Sequence, residues 1–222
     1  MSDLKSFHDD VKQGNLAGVR SALEKDPALL DKPNEAGQTA FLLAKYYRQE
    51  EVASYLLSKN PTMDLFTGCV AGLVPYVLRQ IDANRDLLDA HSNDGWTPLH
   101  LAAFFGYPEL AKELLSRGVN VDVRSSNAMR NTPLHAAVAG RQTELMRLLL
   151  ENGADATAKQ EGGWTALHAA AQNGDREMAE LLIAYGADLN ARANNQQCPL
   201  DMALLKGHKD LASLLGELGA KL

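Results

Sequence analysis

Four segments of this sequence align on one another at a nearly constant period. They start at Thr97, Thr132, Thr165 and Cys198, so successive copies lie 33 to 35 residues apart. Several families of helical repeats have a period of this length. Each copy has an acidic residue twelve positions after its start and a glycine nine positions later, which gives the pairs Glu109/Gly118, Glu144/Gly153, Glu177/Gly186 and Asp210/Gly219. Self-similarity at a fixed period of this order indicates a chain built from stacked repeats.

The residues of one copy predict two short helices. Thr97 suits a helix start, where it accepts from a free backbone N–H, and Pro98 suits the first helical position. Gly106 suits the left-handed turn that ends this helix. Leu110 and Leu114 lie four positions apart, on one face of the second helix. Such a pair is too small to bury its own apolar face, so neighbouring copies are expected to stack.

The copies resemble the ankyrin repeat, whose signature is Thr-Pro-Leu-His-x-Ala. Thr97–Ala102 and Thr132–Ala137 carry the signature in full, and Thr165–Ala170 has alanine in place of proline. The last copy departs from it, because Cys198 and Asp201 replace threonine and histidine. The resemblance is strong over residues 91–222, and the chain looks like the short, ankyrin-only proteins found in bacteria. It implies an all-α solenoid of helix–turn–helix repeats with hairpin-like fingers.

The N-terminal half is a diverged version of the same plan. Residues 26–39 align with residues 84–97 at a constant offset of 58 residues. Gly37–Ala44 occupies the position of the signature. We interpret this as a duplicated pair of repeats. We expect about seven repeats in a single domain over residues 1–222, because no long linker interrupts them. The expected repeats are 1–36, 37–63, 64–94, 95–130, 131–162, 163–195 and 196–222.

Composition and charge restrict the function. The net charge is -6 and no run of Lys and Arg is present, which disfavours nucleic acid and anionic membranes as partners. No apolar stretch is long enough to cross a bilayer, and no signal peptide is visible. Cys69 and Cys198 form no disulfide framework or CxxC pair. These features predict a cytoplasmic protein, and we expect it to be a monomer.

The recurring histidines raise the question of chemistry. His100, His135 and His168 share one repeat position, but stacked repeats would separate them by about 10 Å, whereas zinc ligands lie about 2 Å from one centre. In ankyrin-like folds this histidine typically bonds the backbone of a neighbouring finger, so we expect no metal and no cofactor. His8, His91 and His208 lie in polar contexts. No catalytic motif is present, and we expect no enzymatic activity.

Function is then expected at positions that differ between repeats. The resemblance implies that inner-helix ends and finger tips line a concave groove. Tyr46, Tyr47, Phe104 and Phe105 end two inner helices, where aromatic rings would supply large, rigid contact area. The alternative is that Phe104 or Phe105 packs as core. Tyr107, Trp96 and Trp164 extend the set along the groove rim and the fingers.

Two irregularities add candidates. The finger before Thr132 is two residues longer than its counterparts, with the extra residues within Ser125–Arg130. It is expected to protrude, with Met129 and Arg130 at its tip as contact residues, although an insertion without a role is the alternative. Arg48 and Arg141 stand where the turn usually has glycine, so a left-handed conformation would be strained there. At the second site, either Arg141 takes the left-handed conformation or the turn shifts by one residue to Gly140. Both arginines would flank the groove.

The sequence therefore predicts a non-catalytic protein–protein interaction module that acts as an adaptor, inhibitor or regulatory subunit on a protein partner. The alternatives are a self-assembling structural protein and, less favoured, an enzyme with an unrecognised site.

Overall fold

The computed structural model describes residues 2–221, and these fall into two compact units that are described separately. The first unit extends to Ala71 and the second begins at Gly72. The described residues contain fourteen α-helices and three short 3-10 helices, and no β-strand. The all-α, helix–turn–helix architecture expected from the sequence is confirmed.

The first unit contains five α-helices and one 3-10 helix. The helices are α1 (Ser2–Gln13), α2 (Leu16–Lys25), α3 (Ala40–Tyr46), α4 (Glu50–Ser58) and α5 (Leu65–Val70), with the 3-10 helix at Pro27–Leu30. α1, α3 and α5 form an inner layer in which each contacts the next, while α2 packs against α4 in an outer layer. Phe7, Phe41, Leu43 and Leu56 are fully buried where the two layers meet.

The second unit continues the alternation with nine α-helices. They are α6 (Val74–Ala83), α7 (Pro98–Phe105), α8 (Pro108–Ser116), α9 (Pro133–Gly140), α10 (Thr143–Glu151), α11 (Ala166–Asn173), α12 (Arg176–Ala184), α13 (Pro199–Leu205) and α14 (Lys209–Glu217). The inner helices α7, α9, α11 and α13 stack in chain order, and α8 packs on α10 and α10 on α12. Short 3-10 helices at Arg85–Leu88 and Glu161–Gly163 lie in the connections.

The constant offset between the two aligned parts of the sequence is reproduced by the elements themselves. At that same offset, α2, the first 3-10 helix and α4 coincide at both ends with α6, the second 3-10 helix and α8, respectively. Asn84 caps the second 3-10 helix through its side chain, as Asp26 caps the first. The helix bounds therefore agree with the sequence alignment that predicts a duplicated pair of repeats.

The connections between helix pairs in the second unit form short hairpin-like fingers. Each finger closes on itself with a backbone hydrogen bond, for example from Ser125 N to Asn131 O at 2.9 Å. Neighbouring fingers are also joined through the backbone, by hydrogen bonds from Ser126 N to Gly95 O (2.9 Å), Glu161 N to Met129 O (2.8 Å) and Asn194 N to Gly162 O (2.8 Å). These bonds satisfy backbone groups outside the helices and hold each finger against the next.

Every repeat requires a left-handed backbone at up to three places, namely the finger turn and the end of each helix. Most of these places hold glycine, which adopts a positive φ at no steric cost. The same registers hold the non-glycine residues with positive φ, which are Arg48, Asn60, Arg130, Arg141 and Gln196. Non-glycine residues in this region are strained, so the repeat architecture imposes the conformation on whichever residue occupies the register.

The alternative turn at Gly140 is wrong. Gly140 is the last residue of α9, and Arg141 itself takes the left-handed conformation, with a φ of 59°. Gly140 is required for a different reason. A Cβ atom there would lie 2.1 Å from the backbone oxygen of Phe104. The absence of a side chain thus permits the close approach of α9 to α7, on which it packs.

Candidate protein-interaction surface

The ends of the inner helices show which positions differ between repeats. The residue two positions before the left-handed turn is Tyr46 in the first unit and Phe104, Ala139, Gln172 and Leu205 in the second. These side chains range from half-buried to exposed, whereas Ala103, Val138 and Ala171, one position earlier in three repeats of the second unit, are fully buried. We call the inner-helix ends and the finger tips of each unit its inner face.

Three aromatic rings form a contiguous cluster on the inner face of the second unit. Trp96 lies edge-on to Phe104 with ring centroids 5.1 Å apart, and Phe104 lies edge-on to Phe105 at 5.0 Å. All three are half-buried. Edge-to-face geometry fixes the rings relative to one another. The Phe104 ring therefore packs against its neighbours and still reaches the surface.

The other aromatic candidates lie in different surroundings. In the first unit Tyr46 is half-buried, while Tyr47 is 53% exposed with Lys12 Nζ 5.9 Å from its ring centroid. In the second unit Tyr107 lies over Gly72, where a Cβ atom would come within 2.7 Å of its ring. Trp164 packs edge-on against His168 at 5.2 Å. Among these candidates, Trp96, Phe104 and Phe105 are joined to one another by ring contacts.

The longer finger presents its predicted tip to solvent. Met129 is 49% exposed, and Arg130 is exposed with a left-handed φ of 47°. Asn127 anchors the insertion by donating from Nδ2 to the Asp94 carbonyl at 2.9 Å. Arg141, at the end of α9, is likewise exposed. Because the backbone of this finger is bonded to both neighbouring fingers, its tip residues are held in place.

The three signature histidines form structural bonds. Each Nε2 faces the backbone carbonyl of the next finger, from His100 to Asn131 (2.9 Å), His135 to Trp164 (3.3 Å) and His168 to Gln197 (3.1 Å). A carbonyl only accepts, so Nε2 carries the proton and donates. Each Nδ1 then accepts from the threonine that starts the same helix, at 2.8 to 2.9 Å from its hydroxyl oxygen. The predicted bond to a neighbouring finger is confirmed.

Burial keeps these imidazoles neutral. Desolvation lowers the pKa of His100 and of His135 to about 4, against a partly compensating hydrogen bond to the carbonyl. It lowers the pKa of His168 as well. In the last repeat Asp201 takes this register, and the Cys198 backbone N–H donates to its carboxylate at 2.8 Å, which holds the pKa of Asp201 below its usual range.

His8 belongs to the same register, which the sequence interpretation missed. It lies six positions before the left-handed Gly14, as His100 does before Gly106. The expected polar context is wrong, because His8 is only 4% exposed and its Nε2 has no hydrogen-bond partner among the described residues. Burial is also the main reason that its pKa is lowered. No Thr-Pro-Leu precedes His8, so no local motif marked the register.

A second row of side chains crosses the fingers of the second unit. His91, Arg124, Lys159 and Arg192 lie six positions before the helix start, or eight in the longer finger. The first three each donate to the backbone carbonyl of the next residue in the row: His91 to Arg124 (3.1 Å), Arg124 to Lys159, and Lys159 to Arg192 (3.1 Å). Arg192 donates in turn to the backbone carbonyl of Lys221 (3.4 Å). The recurrence of histidine or a basic residue at one register was the available sequence signal.

Among residues 2–221, no three His, Cys, Asp or Glu side chains lie together in an arrangement that would hold a metal ion. Within the same residues, no helix has the length and apolar character needed to cross a membrane. Cys69 and Cys198 are both free thiols in buried positions.

The helix pairs, fingers and histidine bonds can be compared with known families. A family model for ankyrin repeats matches residues 7–121, 65–160 and 157–222 in three overlapping copies. This chain belongs to the ankyrin-repeat family. Its fold is accordingly that of ankyrin repeats, which indicate a protein–protein interaction module.

The curated relatives are regulatory or multidomain proteins. The chain is 29% identical over 155 residues to the probable 26S proteasome regulatory subunit p28 of Saccharomyces cerevisiae, a match that covers 70% of this chain and 58% of the relative. It is 37% identical over 143 residues to the ankyrin repeat and SAM domain-containing protein 6 of Rattus norvegicus, covering 64% and 13%. With the protein phosphatase 1 regulatory subunit 12A of Mus musculus it shares 37% over 76 residues, covering 34% and 7%. The matches thus span little more than half of the yeast protein and a small part of the others.

Proposed function

We propose that this chain is a non-catalytic adaptor, inhibitor or regulatory subunit that binds a protein partner through its inner face. The observation that carries the proposal is the cluster of Trp96, Phe104 and Phe105. These rings occupy positions that vary between repeats, they are fixed by edge-to-face contacts, and they reach solvent. Aromatic residues held in this way are typical energetic centres of protein interfaces.

The remaining candidates extend this surface. Tyr46 and Tyr47 provide aromatic contacts on the inner face of the first unit. On the second unit, Met129 and Arg130 lie at the tip of the anchored finger, with Arg141 at the end of α9. Tyr107 and Trp164 support the surface through partly buried rings. Met and Arg are suited to such contacts, because Met adapts its shape and Arg is enriched in interfaces.

The relatives support a regulatory role. Two of them are named as regulatory subunits, one of the 26S proteasome and one of protein phosphatase 1. We propose by analogy that this chain regulates a larger assembly or enzyme and has no catalytic activity itself. We also propose that its seven repeats act as one domain and that it works as a cytoplasmic monomer. Free, buried thiols are in keeping with a reducing compartment.

Affinity capture from lysate of the source cells, with identification by mass spectrometry, tests the proposal. The wild-type chain is compared with a variant in which Tyr46, Tyr47, Phe104 and Phe105 are replaced by alanine. Tyr185→Ala is the matched control, because Tyr185 is a 42% exposed aromatic residue at the end of an outer helix. The proposal predicts a partner that the wild type and the control retain and the inner-face variant loses. A partner held equally by all three contradicts the inner-face assignment, provided that circular dichroism shows each protein folded.

One observation favours self-association as a second candidate. Leu204 is 51% exposed at the end of α13, whereas its counterparts Ala103, Val138 and Ala171 are fully buried. Beside it, Leu205 is 68% exposed. Exposed apolar side chains of this kind favour contact with another molecule. Light scattering after size exclusion decides between the two, because a mass that rises with concentration supports self-association and a constant monomer mass excludes it.

A further inference from the structure

The row of basic side chains on the fingers of the second unit is held in place by the backbone. We define the basic row as Arg124, Arg130, Lys159 and Arg192. Arg124 donates from Nη1 to the carbonyls of Arg130 and Lys159, and Lys159 donates from Nζ to the carbonyl of Arg192. A guanidinium has five N–H donors and an ammonium three. These bonds therefore order the side chains of Arg124 and Lys159 while leaving most of their donors for a ligand.

The charges of the row are largely unpaired. Among residues 2–221, Arg124, Arg130 and Lys159 make no ion pair, and all three are exposed. Arg192 pairs with the carboxylate of Asp201, at 3.7 Å. Two cations of the outer helices are paired within their own element, Lys112 with Glu109 and Arg176 with Glu180. The cations of the basic row place positive charge on neighbouring fingers of a chain whose net charge is -6.

We propose that the basic row binds an acidic, extended segment of a protein partner. The proposal rests on the proposed function and adds the chemistry of the partner. Stacked repeats are separated by about one helix diameter, roughly 10 Å. A segment in the extended polyproline II conformation advances about 3.1 Å per residue with three residues per turn, so every third side chain lies on the same side. Acidic side chains at about every third position of the bound segment would therefore meet successive members of the row.

A carboxylate row beside the basic row favours a peptide over a nucleic acid. Asp122, Asp155 and Asp188 recur at one register of successive repeats, and each precedes its neighbour in the basic row by two to four positions. A strand of nucleic acid carries a charge at every nucleotide and would meet these carboxylates as well. A peptide places its acidic side chains on one side only, so it reaches the cations without crossing the carboxylates.

Fluorescence anisotropy with a defined probe tests the proposal. The probe is a fluorescein-labelled peptide of about thirteen residues with glutamate at every third position, and the control probe has glutamine at those positions. Titrations at low salt compare wild type with the variant Arg124→Gln, Arg130→Gln, Lys159→Gln. The matched control Lys112→Gln, Arg147→Gln, Lys209→Gln removes the same charge from the outer helices. All proteins are first shown to be folded.

The proposal predicts that the glutamate peptide binds the wild type about tenfold more tightly than the glutamine peptide, and that binding weakens with salt. The finger variant should lose about tenfold in affinity, while the outer-helix control stays within about twofold. Equal loss in both variants, or no preference for glutamate, overturns the proposal. An oligothymidylate of the same length that binds as tightly as the peptide overturns the assignment to a protein segment.

The experiment separates this inference from the proposed function. In one outcome, the alanine variant of the inner-face aromatic residues loses the captured partner, the finger variant keeps it, and the glutamate peptide does not bind. The basic row is then excluded as a binding site, and the proposed interaction module stands. If the glutamate peptide binds through the basic row while the aromatic variant keeps its partner, the aromatic site is excluded and the acidic-segment site stands.

Discussion

The imidazole of His100 donates from Nε2 to the backbone carbonyl of Asn131, 2.9 Å away and in the next finger of the chain. The same ring accepts at Nδ1 from the hydroxyl of Thr97, at 2.8 Å. One buried side chain thus satisfies a polar group at the start of its own helix and another in the next finger. The bond is repeated at His135 and His168, which makes it a unit of cohesion between successive repeats of the second unit.

Replacing His100 with leucine is predicted to destabilise the protein by about 2–3 kcal/mol, because the carbonyl of Asn131 and the hydroxyl of Thr97 would both lose a buried partner. His8→Leu is the matched control. It is buried in the same register, but its Nε2 has no partner to lose among the described residues, so its cost is predicted to stay below about 1 kcal/mol. Urea unfolding followed by circular dichroism measures both. Similar costs for the two variants would refute the importance of the inter-repeat bond.

The protein is predicted to lose stability as the pH falls from 7 to 5. The pKa of His100 and of His135 is about 4 in the folded protein, against 6.5 as the ordinary value. The unfolded chain therefore binds more protons between pH 6.5 and 4, and stability decreases as the pH falls through that window. At pH 5 the loss is about 2 kcal/mol for each histidine.

The free energy of unfolding, measured by urea titration at several pH values, checks this dependence. The double variant His100→Gln, His135→Gln should show a much smaller difference between pH 7 and pH 5 than the wild type. An equal difference in the two proteins would mean that other groups produce the acid sensitivity.

Two adjacent residues at the end of α9 should respond to substitution in opposite directions. Arg141→Gly is predicted to stabilise the protein by about 0.5–1 kcal/mol, since glycine adopts the left-handed conformation without strain. Gly140→Ala is predicted to destabilise by at least about 2 kcal/mol, because the added Cβ atom would collide with the Phe104 carbonyl in a close-packed interface. Thermal unfolding of the two variants provides the comparison. Destabilisation by Arg141→Gly would show that the arginine side chain makes a contact that outweighs the strain.

The aromatic cluster should dominate the affinity for the partner. The double variant Phe104→Ala, Phe105→Ala is predicted to weaken binding by about 2 kcal/mol or more, which is about thirtyfold, since these rings supply fixed apolar contact area. Isothermal titration calorimetry with the captured partner measures the change. Tyr185→Ala is predicted to change the affinity by less than twofold, and a comparable loss in that control would place the partner elsewhere.

The sequence predicted the repeating scaffold well, and the reason is physical. A period set by threonine, proline, histidine and glycine reports local conformation, which those residues determine through capping, fixed φ and left-handed turns. The helix starts at Thr97, Thr132 and Thr165 followed from this chemistry. The alignment of Thr39 with Thr97 rests on the same local pattern.

The features that the sequence did not reveal depend on contacts between repeats. His8 lacks the local signature that marks the other histidines, so its burial and its position six residues before the left-handed Gly14 revealed its register. The role of Gly140 depends on the distance between two helices, which no local pattern encodes. The second row of finger side chains uses His, Arg and Lys at one register, and what unites these residues is the carbonyl of the next finger. The contact of the Trp96 ring with Phe104 likewise depends on how the finger packs against the inner helix.

Photocrosslinking tests the central claim, that the inner face holds the partner, most directly. A photoreactive benzoylphenylalanine is placed at Phe105 on the inner face, and in a second protein at Tyr185 at the end of an outer helix. After irradiation with the captured partner, the adducts are resolved by gel electrophoresis and mass spectrometry. Our account predicts a specific adduct from position 105 and none from position 185. An adduct from position 185 alone would show that the partner binds the outer helices, and would contradict the account.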